Sequence, residues 1–389
     1  MIGIIGIYYN VRNFGAQLQA RALQVAIQKK GYPCKWVCFD YKTGIFNPFV
    51  TNNINSELNG EESDFWNQYA KTVEPDLTKR KNAFDSFQAE TDHFEREYHV
   101  EDLHEVLNEC DRLIIGGDQV WNDFYFMAEP HMADCFTLNF VPDGMKTFSF
   151  SASTGGGRYL SIEQQKRLTP GLRRLGMISC REKSSVPMLE ALSEKKVTCV
   201  LDSAFLLSPD EWKSIRKPAQ SIAGKDKFAM CCFMGRFPEW REASKSICKK
   251  TNTKVLAFPH LGESRYYKVD YSFGDIRDFS SGPAEFLDLI DKSEFVITDS
   301  FHACVFSIIY NKPFYVFLRD ESNRNLKTNA RIEDMLNEFG LSNRIVSPDE
   351  LLHKDKFEPI NYSMVNRILA TRRQESIDFL DAALNMERS

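Results

Sequence analysis

No apolar run in this 389-residue chain approaches the roughly 18 residues needed to span a membrane. Met1 leads into a strand-like segment rather than a signal peptide, so the expected location is cytoplasmic. A basic stripe is also missing. Lys and Arg total 49 against 54 Asp and Glu, a formal net charge of -5, and no nucleic-acid partner is expected. The ten cysteines contain no CxxC; Cys231 and Cys232 are adjacent and Cys34 and Cys38 lie four apart, a spacing of buried reduced thiols. The seven histidines form neither HxxxH nor HExxH, so no metal is expected. A complete GxGxxG is lacking as well. Asn13-x-Gly15 reads as a ligand loop, NAD binding is disfavoured, and no cofactor is expected.

What the chain does contain is α/β patterning on a two-domain scale. Ile2–Tyr8 reads as a buried strand, Ala16 to Lys30 as a helix stopped by Gly31 and Pro33, and Cys34–Phe39 as the next strand. Further strands are expected at Arg112–Ile115, Thr147–Ser151 and Met177–Ser179. A second series begins at Phe228–Met234 and continues through Lys254–Phe258, a helix Pro283–Lys292 and a strand Phe295–Thr298. Met364–Asn385 is a helix candidate. Phe84, Phe87 and Phe94 at helical spacing predict an amphipathic helix over Arg80–Glu97, and the polar stretch 46–64 predicts an exposed insertion. The expected division is 1–208, carrying a variable insertion at about 43–105, then 225–360, then a C-terminal helix over 361–389, with a cleft between two similar halves.

Glu294–Val316 is the most informative stretch, a strand–turn–helix–strand unit with Asp299-Ser300-Phe301-His302 at the strand's carboxyl end. That end faces the ligand crevice of an open α/β sheet. His302 suits general acid–base work there, and Asp299, three residues earlier, is expected to orient its ring; simple helix capping is the bland alternative. Arg181 follows another strand, where its fork can hold a carboxylate or phosphate or instead pair with Glu182 or another acid. Arg236 and Arg331 carry the same two options. Gly117-Asp118 closes a tight turn that admits a ligand, and Trp121 is either a sugar platform or core. Asp202-Ser203 reads as a structural turn.

Taken in order, these segments resemble the polysaccharide pyruvyl transferase family. The resemblance is carried by Asn13-Phe14-Gly15-Ala16-Gln17-Leu18-Gln19, Ile114-Ile115-Gly116-Gly117-Asp118-Gln119-Val120-Trp121-Asn122, Ser151-Ala152-Ser153, Ser179-Cys180-Arg181-Glu182-Lys183-Ser184, Leu201-Asp202-Ser203-Ala204-Phe205, Thr298-Asp299-Ser300-Phe301-His302 and Asn329-Ala330-Arg331-Ile332. It implies two Rossmann-like domains facing a cleft, as in GT-B glycosyltransferases. It also implies transfer of a pyruvyl group from phosphoenolpyruvate to two hydroxyls of a sugar, giving a cyclic ketal and phosphate. The implied acceptor is a galactose-type hexose of a capsular or exopolysaccharide precursor, including one carried on a polyprenyl diphosphate at the inner face of the membrane. An aromatic and basic surface at 236–240 or Arg265-Tyr266-Tyr267 would then make peripheral membrane contact, with buried packing as the alternative.

On this basis His302 and Asp299 are the expected catalytic pair. Arg181, Ser300, Phe301, Arg236 and Arg331 are expected on the donor side, and Asn13, Gly15, Gly117, Asp118 and Trp121 on the acceptor side. Where members of the family carry an arginine two residues before the histidine, this chain has Ser300, so the anion-binding charge must come from elsewhere. A nucleotide-sugar glycosyltransferase on the same architecture and a non-catalytic carbohydrate-binding subunit are the competing readings.

Overall fold

A computed structural model describes residues 1–40, 60–122, 132–156, 160–224, 227–235, 237–259, 268–319 and 329–386. Its frame is two parallel five-stranded sheets of the same winding. The first runs β3-β2-β1-β4-β5, with β1 Ile2–Ile5, β2 Cys34–Phe39, β3 His93–Tyr98, β4 Arg112–Ile115 and β5 Lys146–Ser149. The second runs β10-β9-β8-β11-β12, with β8 Phe228–Cys232, β9 Lys254–Ala257, β10 Ile276–Arg277, β11 Val296–Thr298 and β12 Phe314–Val316. Between them in sequence, β6 Ile178–Cys180 pairs with β7 Val197–Cys199. Single bridges, Phe148 to Met177 and Ala152 to Cys180, carry the first sheet on into that pair.

The central strands are buried on both faces and therefore read as unbroken apolar runs. Every residue of Ile2–Ile5 is buried, and Ile4 sits between Trp36 and Ile114 in register. In the second sheet Val296 aligns with both Met230 and Phe314. The order of each sheet reverses beside its first strand, at β1/β4 and at β8/β11, and such a switch point opens a crevice at the strands' carboxyl ends.

The helix Phe14–Lys29 (α1) is buried almost all round because it lies between the halves. Leu18 and Ala22 join a core with Leu287, Phe301 and Val305 of the second half, while Ala20, Leu23 and Ile27 pack with Ile4 and Trp36 of the first. Three glutamines on this helix are buried, and each makes side-chain hydrogen bonds, although Gln17 Oε1 has no partner. Gln17 donates to Tyr8 and Val11 carbonyls at 2.8 and 2.9 Å, Gln24 to the Asp92 carbonyl at 2.7 Å, and Gln19 accepts from the Ser203 hydroxyl at 3.0 Å.

Two elements differ from the sequence expectation. The helix expected over Arg80–Glu97 instead spans Gly60–Ala89 and stops before Phe94, which lies on β3. Phe87 and Phe94 are two helical turns apart in number only; a turn after Glu90 lets the same apolar spacing serve a helix and then a strand. The stretch 43–105 is thus partly sheet, and the polar segment expected at 46–64 lies largely outside the described residues. That helix also reaches the second half. Ala83 packs on Gly282, and buried Arg80 donates to the carbonyls of Pro259 at 2.9 Å and Asp278 at 2.6 Å while lying over the rings of Phe14 and Phe258. The last helix, Tyr362–Asn385, likewise touches both halves: Val365 and Leu369 enter the core around Phe314, and Phe379, Leu380 and Leu384 enter the core around Ile2 and Phe148.

Candidate active site

The carboxyl ends of the two sheets meet around His302. β11 ends at Thr298, whose hydroxyl donates to the Cys232 carbonyl at 2.6 Å and accepts the Ser300 amide at 3.0 Å. Ser300 then caps the helix Phe301–Ile309, accepting the Ala303 amide. This geometry sets His302 in the helix's first turn, facing the first half. There Gly15, near the start of α1, lies directly under the imidazole. A Cβ on Gly15 would fall 1.9 Å from Nδ1 and 2.3 Å from Cγ of His302. Asn13 begins the same helix as its cap, accepting the Ala16 amide at 3.2 Å.

The carboxylate beside His302 is Asp202, from the loop after β7, and not Asp299. His302 Nε2 lies 3.6 Å from Asp202 Oδ2, so the pair spans the two halves. Asp299 turns the other way, toward the end of β8, where Oδ1 accepts the Met234 amide at 2.7 Å and Oδ2 the Gly235 amide at 2.9 Å. At a strand end its side chain follows the sheet, whereas the imidazole three residues later follows the helix. The expected Asp299–His302 couple is therefore replaced by Asp202–His302; Asp202 does cap the turn Ser203–Leu206, accepting the Ala204 amide at 3.0 Å, and its carboxylate also lies against the imidazole.

Arg181 organises the first-half wall. Its guanidinium donates to Asp202 at 2.6 Å, to Asp118 at 3.2 Å and to Glu182 at 3.4 Å, and lies 4.5 Å from the ring centre of Phe301. With three acids in hand, Arg181 fits the ion-pair alternative, and the expectation that its fork is spare for a donor anion is not met. Asp118 and Ser151, at the ends of β4 and β5, both adopt left-handed backbone (φ 71 and 58), a conformation costly for non-glycine residues. Burial would raise the Asp202 carboxyl, yet His302, Arg181 and the Ala204 amide outweigh it and hold Asp202 well below the usual carboxylate range. Glu182 moves the other way. Burial pushes its carboxyl up against the pull of Arg181 and the Ser153 hydroxyl, and its Oε2 has no hydrogen-bond partner.

Positive charge accumulates on the second-half side. Arg331 lies with its guanidinium carbon 5.6 Å from the Phe301 ring centre, so Phe301 carries two arginines on its ring. Burial, then the like charges of Arg319 and Arg181, push Arg331 down. Arg319, at the exit of β12, stands 3.6 Å from Asp299. Burial raises the Asp299 carboxyl despite that neighbour. Arg319 was not legible from sequence, since only the pairing of β12 with β11 brings it beside Asp299.

The remaining expectations divide. Gly117 is a close-approach position, with a Cβ there meeting Gln19 Oε1 at 2.6 Å. Ser300 acts as a helix cap and Phe301 as a platform for arginines. Trp121 is wholly buried and donates from Nε1 to the Phe136 carbonyl at 2.9 Å, so it is core and not a sugar platform. Trp240 is likewise buried among Phe233, Phe237 and Phe317, which removes it from any membrane-facing surface. Arg236 and Arg265-Tyr266-Tyr267 lie outside the described residues. Among the described residues, no helix is long and apolar enough to cross a membrane, and no group of three His, Cys, Asp or Glu is placed to hold a metal.

Comparison with solved structures supports the two-domain architecture. A UDP-GlcNAc 2-epimerase from Methanocaldococcus jannaschii superposes with a TM-score of 0.52 at 12% identity, covering 100% of this chain and 93% of that one. S. aureus MnaA, solved with UDP, gives 0.51 at 14% identity, covering 100% and 98%. The UDP-GlcNAc 2-epimerase from Neisseria meningitidis bound to UDP-GlcNAc gives 0.50 at 11%, covering 97% and 99%. At such identities the likeness is one of fold, a GT-B-like pair of Rossmann-like domains facing a cleft. None of the curated proteins matches the chain by sequence. A family profile described as polysaccharide pyruvyl transferase does match, over residues 13–321, a span that takes in Asn13, Gly15, Asp118, Arg181, Asp202, Asp299, His302 and Arg319. The chain belongs to the polysaccharide pyruvyl transferase family.

Proposed function

We propose that this protein transfers the pyruvyl group of phosphoenolpyruvate to two hydroxyls of a sugar, forming a cyclic ketal and releasing phosphate. The observation that carries the proposal is the cross-domain pair of His302 and Asp202, set beside the guanidinium groups of Arg319 and Arg331, with Arg181 committed to its three acids. Phosphoenolpyruvate brings a carboxylate and a phosphate into the cleft. Fixed positive charge and the first turn of the Phe301–Ile309 helix suit both.

The reaction then needs two proton movements. Protonation of C3 converts the methylene to a methyl group and makes C2 electrophilic, so that the first sugar hydroxyl bonds to C2 through its oxygen and gives up its proton, which replaces the one delivered to C3. The C2–O bond to phosphate breaks, the second hydroxyl attacks C2, and its proton leaves with the phosphate side. We assign the proton transfer in these steps to His302, with Asp202, 3.6 Å from its Nε2, stabilising the charged ring. The acceptor is a hexose of a capsular or exopolysaccharide precursor, free or on a polyprenyl diphosphate.

Phosphate release from phosphoenolpyruvate over a panel of hexose acceptors tests the proposal. Acceptor-dependent release that falls about 10²–10⁴-fold in His302→Ala is the expected result. Stabilisation against heat by UDP- or GDP-sugars but not by phosphoenolpyruvate would instead favour a nucleotide-sugar glycosyltransferase.

A further inference from the structure

Arg319 is held with unusual care for a residue at the end of a strand. Its amide donates to Asn329 Oδ1 at 3.2 Å and its carbonyl accepts from Asn329 Nδ2 at 2.7 Å, so one side chain brackets its backbone from both sides. The guanidinium that results is nevertheless unsatisfied. Nε and Nη2 are both shielded from solvent and have no hydrogen-bond partner, although Nε lies 3.6 Å from Asp299. Asp299, whose two oxygens each accept a short amide hydrogen bond from the loop after β8, comes no nearer to the guanidinium than that. Arg181, by contrast, has found three acids. Buried polar groups in native proteins are nearly always paired, and the planar fork of arginine matches the oxygens of a carboxylate or phosphate.

We propose that Arg319 is the residue that grips an oxyanion of the donor in the cleft, supplying from β12 the charge that position 300 does not carry. This deepens the pyruvyl-transfer reading and rests on it for the identity of the donor. The side chain as a whole is about a quarter exposed (26%) although Nε and Nη2 are covered, so the covered edge of the guanidinium adjoins a part that opens to solvent. Asp299 then serves as its anchor, keeping the fork turned toward the loop after β8.

Calorimetric titration of the full-length protein with phosphoenolpyruvate, pyruvate and inorganic phosphate, each against Arg319→Ala and Arg319→Lys, tests this. Losing a charge-assisted contact weakens phosphoenolpyruvate about 10- to 100-fold in Arg319→Ala, and lysine restores part of it as a charge without the fork. Selective loss of phosphate affinity assigns Arg319 to the phosphate end of the donor, and selective loss of pyruvate affinity to the carboxylate end; either supports the proposal. Should the alanine variant fail to fold, Arg319→Gln keeps the length, loses the charge and carries the same test. Phosphoenolpyruvate affinity within twofold of wild type in the folded variants overturns the assignment, as does a wild-type protein that binds none of the three. Arg319-dependent binding of inorganic phosphate without any binding of phosphoenolpyruvate retires pyruvyl transfer and leaves the oxyanion site standing.

Discussion

Substitution of Gly15 by alanine probes the contact on which the site depends. The added Cβ would lie 1.9, 2.3 and 2.5 Å from Nδ1, Cγ and Cε1 of His302, far inside the 3.4 Å at which ordinary contact begins. The imidazole must therefore withdraw by about 1.5 Å, or α1 must back away from the Phe301–Ile309 helix by as much. A misplacement of about 1 Å can cost 10²-fold in rate, so turnover should fall by at least about that factor. Overpacking of this kind costs about 1–3 kcal/mol, a drop of several degrees in Tm for domains of this size. Phosphate release gives the first quantity and calorimetric unfolding the second. The double variant Gly15→Ala/His302→Ala separates the causes. With the ring gone the Cβ has room, so stability should largely return while activity does not, a coupling that additive effects cannot produce. Wild-type turnover in a folded Gly15→Ala protein, or the lack of any coupling in the cycle, would refute the packing of the ring on Gly15 or its part in the chemistry.

Three further outcomes are expected. Asp202→Asn leaves Arg181 and His302 without their shared carboxylate and should cost about 3–5 kcal/mol. Because the folded protein holds Asp202 below its unfolded value, that advantage is full above about pH 4 and shrinks as pH falls further, which acid unfolding of the two proteins will reveal. Glu182 has the opposite sign: its raised folded value gives stability that is full below its ordinary 4.5 and lost as pH rises through the folded value. Glu182→Gln should accordingly melt higher than wild type at pH 8 and no higher near pH 4.5, and an equal gap at both would refute the shift. Arg80→Ala removes a buried cation that bridges the halves and should lose about 3–5 kcal/mol in denaturant titration, since the Pro259 and Asp278 carbonyls lose their donor.

The strands were legible because each central one is a short apolar run closed by glycine, proline or a capping residue. Cys34–Phe39 and Arg112–Ile115 fall where the sequence places them. The location of His302 was legible for the same reason, since a strand followed at once by a capped helix defines a crevice edge. Its partner was not. Sequence offers Asp299 as the near carboxylate, but Asp202 is 100 positions away in number and reaches the ring only because the two sheets face each other. Arg181 shows the matching limit. Residue type and position mark it as a site arginine, while its commitment to Asp118, Glu182 and Asp202 depends on three separate strand ends converging. Trp121 was open between two roles, and only burial of its indole behind the Asp118 turn decides for the core.

The long final helix has a consequence for biogenesis. Its 24 residues reach about 36 Å, and its last turns fill the hollow beside Ile2, Trp36 and Phe148. Those three positions leave the ribosome early, whereas Phe379 to Leu384 emerge some 230 residues after β5 is complete at Ser149. At about 5–20 residues per second, the nascent first half waits roughly 10–50 s with an oily flank uncovered. The part of the molecule translated first is finished last, and chaperone demand during synthesis should concentrate there.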